Sequence, residues 1–152
     1  MQFIDTHSHL YSSQFDEDRT NAVREAIDAG VSTILLPNIS SEYTKGMLEL
    51  CAEFPKNCFP MMGLHPCDVN EENIKAELEH VGEELAKEGY IAVGEIGLDL
   101  YWDKTKLAIQ KEAFIQQIEL AKKYKLPIAI HVRDSFAEAI EIIEKLNNED
   151  LR

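Results

Sequence analysis

The stretch Pro127-Ile128-Ala129-Ile130-His131 (residues 127–131) is apolar almost throughout and ends in a histidine. Such weak alternation between apolar and polar residues is typical of a strand that is buried on both faces, as in a parallel sheet. A second run, residues 31–36, is rich in β-branched and aliphatic side chains and ends at Pro37-Asn38. Together the two runs predict a parallel sheet that carries polar residues at the ends of its strands.

Apolar runs and amphipathic segments alternate along the whole chain. Strands are predicted over residues 3–6, 31–36, 58–63, 90–93 and 127–132. Helices are predicted over 16–29, from Ser40 or Ser41 to Phe54, and over 71–88, 105–124 and 135–147. Strands that alternate with helices favour a parallel sheet with right-handed crossovers. We therefore predict an α/β fold of five β-α units, forming a single domain over residues 1–152.

Composition limits the class of protein. At 152 residues with 45% hydrophobic side chains, the chain is long enough for one buried core. No run approaches the ~18 apolar residues of a membrane-spanning helix, and the N-terminus lacks the basic and apolar regions of a secretory signal. The spacing of Cys51, Cys58 and Cys67 matches no metal or redox motif. We expect reduced thiols in a cytoplasmic protein that has no membrane partner.

The chain is strongly acidic, with a formal net charge of −13 from 28 acidic and 15 basic residues. Non-specific binding to nucleic acid relies on clustered Lys and Arg, and the sequence has no such cluster. One interpretation of the acidity is a well-hydrated surface. Another is that metal ions supply the positive charge of an active site.

Polar side chains follow every predicted strand. His7 and His9 come directly after the first strand, two residues apart. In an extended chain, residues i and i+2 point to the same side, so the two imidazoles should project together. Asn38, His65 and Glu95 follow the next three strands, and His131 lies at the end of the fifth. The carboxyl ends of parallel strands are where α/β barrels and open α/β sheets place their chemistry.

Glu95 and the histidines form a candidate metal-binding set. Glu95 lies between two glycines in Gly94-Glu95-Ile96-Gly97-Leu98-Asp99, and a carboxylate can bridge two cations, which imidazole cannot. His131 is either a ligand or a core histidine. His7, His9, Glu95 and His131 fit one or two ions of the Zn, Mn or Mg type, and the mixed N/O set disfavours a pure Mg site. Two such ions, ~3.5–4 Å apart, can support phosphoryl transfer.

Two more residues near strand ends have open interpretations. His65, in Gly63-Leu64-His65-Pro66, either contacts substrate or orders its loop. Arg133 either binds an anionic substrate, since guanidinium fits phosphate bidentately, or pairs with Asp134 or Glu138. Other polar residues are given non-substrate roles: Asp5 supports the fold or a ligand histidine, Asp99 caps a helix or orders a loop, and His80 lies on the surface.

Four segments together resemble a known family. They are Asp5-Thr6-His7-Ser8-His9, Gly63-Leu64-His65-Pro66, Gly94-Glu95-Ile96-Gly97-Leu98-Asp99 and His131-Val132-Arg133-Asp134. In this order they resemble the TatD family of metal-dependent deoxyribonucleases, in the amidohydrolase-like superfamily of TIM-barrel hydrolases. The resemblance implies a (β/α)₈ barrel and exonucleolytic hydrolysis of DNA at a two-metal site. It also implies that His7 and His9 hold one ion, Glu95 bridges, His131 holds the second, and His65 lines the substrate pocket.

The chain departs from the family in length. A barrel of this kind has about 250 residues, and the sequence contains about five of its eight β-α units. The resemblance implies a further ligand histidine and a catalytic aspartate, and both would lie beyond Arg152. We therefore expect a fragment whose open sheet edge is covered by a C-terminal half or by self-association, and which is inactive alone. Two alternatives stay open: a superfamily hydrolase of small-molecule or aminoacyl esters and amides, and a non-enzymatic metal-binding piece.

Overall fold

Five β-α units follow one another in the computed structural model, which describes residues 1–151. The strands are β1 (Phe3–Asp5), β2 (Val31–Pro37), β3 (Cys58–Met61), β4 (Val93–Asp99) and β5 (Ile128–Arg133). The helices are α1 (Arg19–Asp28), α2 (Ser41–Glu53), α3 (Ile74–Leu85), α4 (Leu107–Tyr124) and α5 (Phe136–Leu146). All the strand pairs are parallel, so the prediction of an α/β fold with parallel strands is confirmed.

The strands form two small parallel sheets. One sheet has the order β1-β2-β3, and the other pairs β4 with β5. Met62, just after β3, joins them: its N–H donates to the Ala92 carbonyl at 3.1 Å, and its carbonyl accepts from the Gly94 N–H at 2.9 Å. The spatial order of the five strands is therefore their order in the chain, and consecutive elements are usually neighbours in space.

The predicted bounds of the fourth strand were wrong. We expected it to cover residues 90–93, but β4 runs from Val93 to Asp99, includes Gly94 and Gly97, and is buried throughout. The two glycines belong to the strand, and Glu95 lies within it. Gly97 has φ of 143°, and a Cβ there would collide with the backbone carbonyl of His131 on β5. The close approach of β5 thus explains why a glycine occupies this position in the strand.

A row of small residues crosses β4 and its neighbours. A Cβ on Gly63 would come within 2.8 Å of the Gly94 backbone, and a Cβ on Gly94 would come within 2.6 Å of the Ala129 Cβ. Real Cβ atoms do not approach other atoms so closely, so these positions have no room for larger side chains. The row brings the backbones of the segment after β3, of β4 and of β5 together beside Glu95.

Burial falls from the middle strands to the outer ones. The core is centred on β2, β4 and α4, with Leu36, Ile96 and Phe114 fully buried. All three residues of β1 are exposed, and Ile4 keeps 62% of its surface accessible. On β5, Ile130 keeps 40%. The two outer strands therefore present apolar side chains that no residue in the described part of the chain covers.

The helices are shorter than the sequence pattern predicted. The segment before α1 forms a 3₁₀ turn, Ser13–Phe15, so α1 begins at Arg19 rather than at residue 16. Gly46 lies inside α2, where the Tyr11 carbonyl passes 3.5 Å from the position of a Cβ. None of the helices within residues 1–151 is long and apolar enough to cross a membrane.

Candidate metal centre

Glu95 lies at the centre of a group of histidines, and its two carboxylate oxygens face different members. Oε2 is 2.9 Å from His7 Nε2 and 3.5 Å from His9 Nε2. Oε1 is 2.9 Å from His131 Nδ1 and 3.8 Å from His65 Nε2. The side chain is only 8% exposed, so the carboxylate is held inside the protein between two imidazole pairs.

Each pair of histidines brings two ring nitrogens together. His7 Nε2 and His9 Nε2 are 3.2 Å apart, and so are His65 Nε2 and His131 Nδ1. The rings of both pairs meet edge to face. His7, His9 and Glu95 thus form one group of candidate ligand atoms within 4.8 Å of one another, and His65, Glu95 and His131 form a second.

Tyr11 fixes the tautomer of His9. The buried Tyr11 hydroxyl donates its single proton to the Pro37 carbonyl, so it can only accept from His9 Nδ1, which lies 2.8 Å away. His9 Nδ1 therefore carries a proton. In the neutral ring, Nε2 then holds a lone pair, and this is the nitrogen that faces Glu95 and His7.

Asp99 fixes the tautomer of His131 in the same way. Its Oδ2 lies 2.9 Å from His131 Nε2. Burial favours the neutral acid, but hydrogen bonds from His131 and from the Tyr101 N–H outweigh it and lower the pKa of Asp99. An ionised carboxylate only accepts, so His131 Nε2 is the donor and Nδ1 faces Glu95. Its hydrogen bond with Glu95, together with Asp99, raises the pKa of His131.

His65 is oriented in the opposite sense. Its Nδ1 accepts from the backbone N–H of Cys67 at 3.1 Å, so the proton of the neutral ring must sit on Nε2. Burial lowers the pKa of His65 to about 4, against the opposing effect of Glu95, and the ring is neutral at pH 7. Nε2 is therefore a hydrogen-bond donor that points toward His131 and Glu95, and it has no lone pair for a metal.

Two glutamines of α4 hold the backbone segments that carry the site. Gln117 accepts from the Leu64 N–H at 2.7 Å and donates to the Leu64 carbonyl at 3.2 Å. Gln110, seven residues earlier, makes the same pair of bonds with Asp99, at 2.9 and 3.1 Å. Both amides are buried, at 1% and 2% exposure. One helix therefore fixes the backbone next to His65 and the residue that orients His131.

The donor set suits a divalent cation. Burial favours the protonated acid, but hydrogen bonds that His131 and His9 donate in their protonated, imidazolium forms outweigh it and hold the pKa of Glu95 well below its usual range. An ionised, largely buried carboxylate with imidazole nitrogens on both oxygens is a mixed N/O set of the kind that Zn or Mn takes in proteins. The aspartate behind His131 is the outer support common behind ligand histidines.

The other polar residues named from the sequence have structural contacts. Asp5 accepts from the His7 N–H at 3.0 Å and so orders that loop. Asn38 is fully buried, and its amide donates to the carbonyls of Ser40 and Gly63. Asp99 orders its loop as predicted, but it also orients His131. His80, predicted to lie on the surface, is partly buried, with Nε2 2.9 Å from the Thr44 hydroxyl.

Arg133 does not form the ion pair considered from the sequence. No carboxylate within residues 1–151 lies in salt-bridge range of its guanidinium, including Asp134 and Glu138. The group instead lies 3.7 Å from the centroid of the Tyr101 ring.

Sequence reasoning missed Tyr11, Gln110 and Gln117. The spacing of two residues continues from His9 to Tyr11 and was a usable signal for the tyrosine, whereas the glutamines gave none.

A family model described as TatD related DNase matches residues 4–152. The chain belongs to this family. The TatD resemblance recognised in the four sequence segments is therefore confirmed. The residues that the structure groups around Glu95 come from all four of those segments.

Among TatD-related proteins, the chain is 34% identical over 142 residues to the "uncharacterized metal-dependent hydrolase YabD" of Bacillus subtilis, covering 93% of this chain and 55% of that protein. It is 30% identical over 135 residues to the "3'-5' ssDNA/RNA exonuclease TatD" of Pectobacterium carotovorum, covering 89% and 52%. The crystal structure of YjjV, a TatD homologue from Escherichia coli, matches with a TM-score of 0.85 at 30% identity, over 95% of this chain and 56% of that one. The chain spans about half the length of the curated relatives it matches.

Proposed function

We propose that the protein is part of a metal-dependent nuclease that hydrolyses phosphodiester bonds of DNA from a strand end. The observation that carries the proposal is the division of the Glu95 carboxylate between two histidine pairs. When bound, two divalent ions of the Zn, Mn or Mg type would activate water and stabilise the leaving oxygen. The names of relatives such as the TatD exonuclease support nucleic acid as the substrate.

The tautomers divide the ligands between the two ions. His9 Nε2 faces Oε2 of Glu95 with its lone pair, beside His7 Nε2, so His7, His9 and Oε2 would hold one ion. His131 Nδ1 faces Oε1, so these two atoms would hold the other. Glu95 is the catalytic residue of this proposal, because its two carboxylate oxygens would each serve as a metal ligand.

His65 has the properties of a substrate-binding residue. Its Nε2–H is a neutral donor next to Glu95 Oε1, at 3.8 Å, and the Cys67 N–H fixes that orientation. A neutral donor can bind a non-bridging phosphate oxygen without competing for metal. This supports the assignment of His65 to the substrate rather than to the second group of candidate ligands.

We further propose that residues 1–152 are the N-terminal portion of a (β/α)₈ barrel and form a single domain with it. The exposed apolar residues of β1 and β5, such as Ile4 and Ile130, are then covered by further β-α units or by a second copy. Additional ligands for the second ion, which has only His131 and Glu95 here, would come from those units. The separate chain is expected to bind metal but to turn over little substrate.

Metal stoichiometry tests the proposal directly. Purified protein loaded with Zn²⁺ or Mn²⁺ is expected to retain metal, and Glu95→Ala is expected to lose it at both positions. Glu84→Gln is the matched control, since Glu84 is a buried carboxylate on α3, bonded to Lys87 and Tyr90 rather than to a histidine. Unchanged metal content in Glu95→Ala would refute the ligand assignment.

Hydrolysis is measured on the chain joined to the further β-α units of the proposed barrel, because the separate chain is expected to turn over little. The substrates are end-labelled single-stranded DNA and, in parallel, esters and amides. Chelator-sensitive release of nucleotides supports the nuclease proposal. Turnover of esters or amides without release of nucleotides would replace it with the small-molecule hydrolase.

A further inference from the structure

Two large aromatic side chains stand in solvent directly after β4. Trp102 is 72% exposed and Tyr101 is 53% exposed. Their rings meet edge to face, with centroids 4.8 Å apart. Exposure on this scale leaves broad π-surfaces uncovered by the described residues, and an exposed aromatic surface beside a site is typical of recognition rather than of folding.

Arg133 completes the cluster from the neighbouring strand. Its guanidinium carbon lies 3.7 Å from the Tyr101 ring centroid and 5.5 Å from that of Trp102. Both distances lie within the ~6 Å range of a cation–π contact. Arg133 is itself exposed, so its outer face and its N–H groups can reach a ligand that lies on the aromatic rings.

The cluster is joined to the metal centre through one carboxylate. Asp99 Oδ1 accepts from the Tyr101 N–H at 3.0 Å, while Oδ2 contacts His131 at 2.9 Å. The Arg133 carbonyl accepts from the Leu100 N–H at 2.9 Å, which fixes the backbone of β5 against the start of the aromatic segment. The aromatic surface therefore has a fixed position next to the histidine that faces Glu95.

The acidic charge of the chain indicates what the aromatic surface would contribute to the binding of nucleic acid. With 28 acidic and 15 basic residues and a net charge of −13, the protein gains little from the counter-ion release that drives phosphate-backbone binding. Stacking of bases on aromatic rings and on arginine does not depend on a positive net charge of the protein. It does require unpaired bases with accessible faces.

We propose that Tyr101, Trp102 and Arg133 form a base-stacking surface, which binds an unpaired nucleobase of single-stranded nucleic acid beside the metal centre. The assignment rests on the proposed nuclease function and names the residues of this chain that would bind its substrate. The base stacks on Trp102, and Arg133 contacts the stacked base or its phosphate. A base held in a duplex cannot be reached in this way, so single strands are preferred.

Trp102 is the only tryptophan in the chain, so its fluorescence reports directly on the surface. The protein is titrated in a chelator, without metal, with short oligothymidine, oligouridine and an abasic DNA of equal length. Both base-bearing strands are expected to quench Trp102, and the abasic strand is expected to bind much more weakly. Equal binding of abasic DNA and oligothymidine would overturn the proposal.

Variants show which side chains bind the base-bearing strand, with affinity measured by the fluorescence anisotropy of a labelled oligothymidine. Trp102→Ala is expected to weaken binding roughly 5- to 150-fold, the effect of removing one stacked base, and Trp102→Phe to retain most of it. Arg133→Ala is compared with Lys123→Ala, which removes an equal charge from a cation–π contact with Tyr124 at the far end of α4. Only Arg133→Ala is expected to weaken binding.

The two proposals fail in different ways. If Trp102→Ala binds oligothymidine as tightly as the parent, the stacking surface is refuted, whatever the metal content and hydrolysis are. If base-dependent binding is found but Glu95→Ala keeps its metal, the stacking surface stands and the metal assignment falls. Because Trp102 is largely exposed, its replacement is expected to leave the thermal unfolding midpoint unchanged, and circular dichroism checks this.

Discussion

Replacing Gln117 by leucine is expected to destabilise the protein far more than an ordinary helix substitution. The leucine fills a similar volume but cannot replace the two bonds to the N–H and carbonyl of Leu64, a residue only 1% exposed. An unpaired buried polar group costs about 1–3 kcal/mol, so two such groups imply a loss of roughly 2–6 kcal/mol. Domains of this size have only about 5–15 kcal/mol of stability.

Urea unfolding followed by circular dichroism measures this loss as a shift of the midpoint. Gln116→Leu is the matched control: the neighbouring glutamine is exposed and bonds only to Glu112, so its change should stay within about 0.5 kcal/mol. Equal midpoints for Gln117→Leu and Gln116→Leu would refute the reasoning.

Three other outcomes are expected. Asp99→Asn should weaken metal binding about 10- to 100-fold in a chelator competition. The amide can present its N–H₂ to His131 Nε2 and so favour the tautomer that carries its proton on Nδ1, the nitrogen facing Glu95. Unaltered affinity would contradict the role of Asp99. Gly97→Ala should fail to give a cooperative unfolding transition, because its Cβ meets the His131 carbonyl at a φ of 143°, and a normal melt would show that β5 can move away. Glu84→Gln should be less stable than the parent at pH 7: burial opposes the charge of Glu84, but Lys87 and Tyr90 hold its pKa below the usual 4.5. That stabilisation is present above pH 4.5 and lost as the pH falls through the lowered pKa, so the unfolding midpoints should converge in acid.

The sequence alone could predict the β-α rhythm because each element carries its own signal. Apolar runs and 3.6-residue periods are local, and the order of the elements follows from them. The ends of β4 are not marked by a local sequence signal of this kind. Gly94 and Gly97 are typical of turns, and only the approach of Ala129 and His131, more than thirty residues away, shows that they belong to a strand.

The candidate site also contains residues that the sequence could indicate and residues that it could not. His7 and His9 were recognisable from their spacing, and Glu95 from its setting between two glycines. What each imidazole can donate or accept depends on partners that are distant in the chain or lack a motif, such as Asp99 for His131. Gln117 is the extreme case, since nothing about a glutamine on a helix indicates that it bonds to the backbone of residue 64.

The row of small residues across β3–β5 has a consequence for how this sequence can change over time. At Gly63 the obstructing atoms are the backbone of Gly94, and no substitution elsewhere removes a backbone atom. At Gly94 the first obstruction is the Ala129 Cβ, which a prior Ala129→Gly would delete, leaving the carbonyl of that residue 3.0 Å away. Position 94 is thus epistatic with position 129 and can vary only after a permissive step, whereas position 63 has no such route.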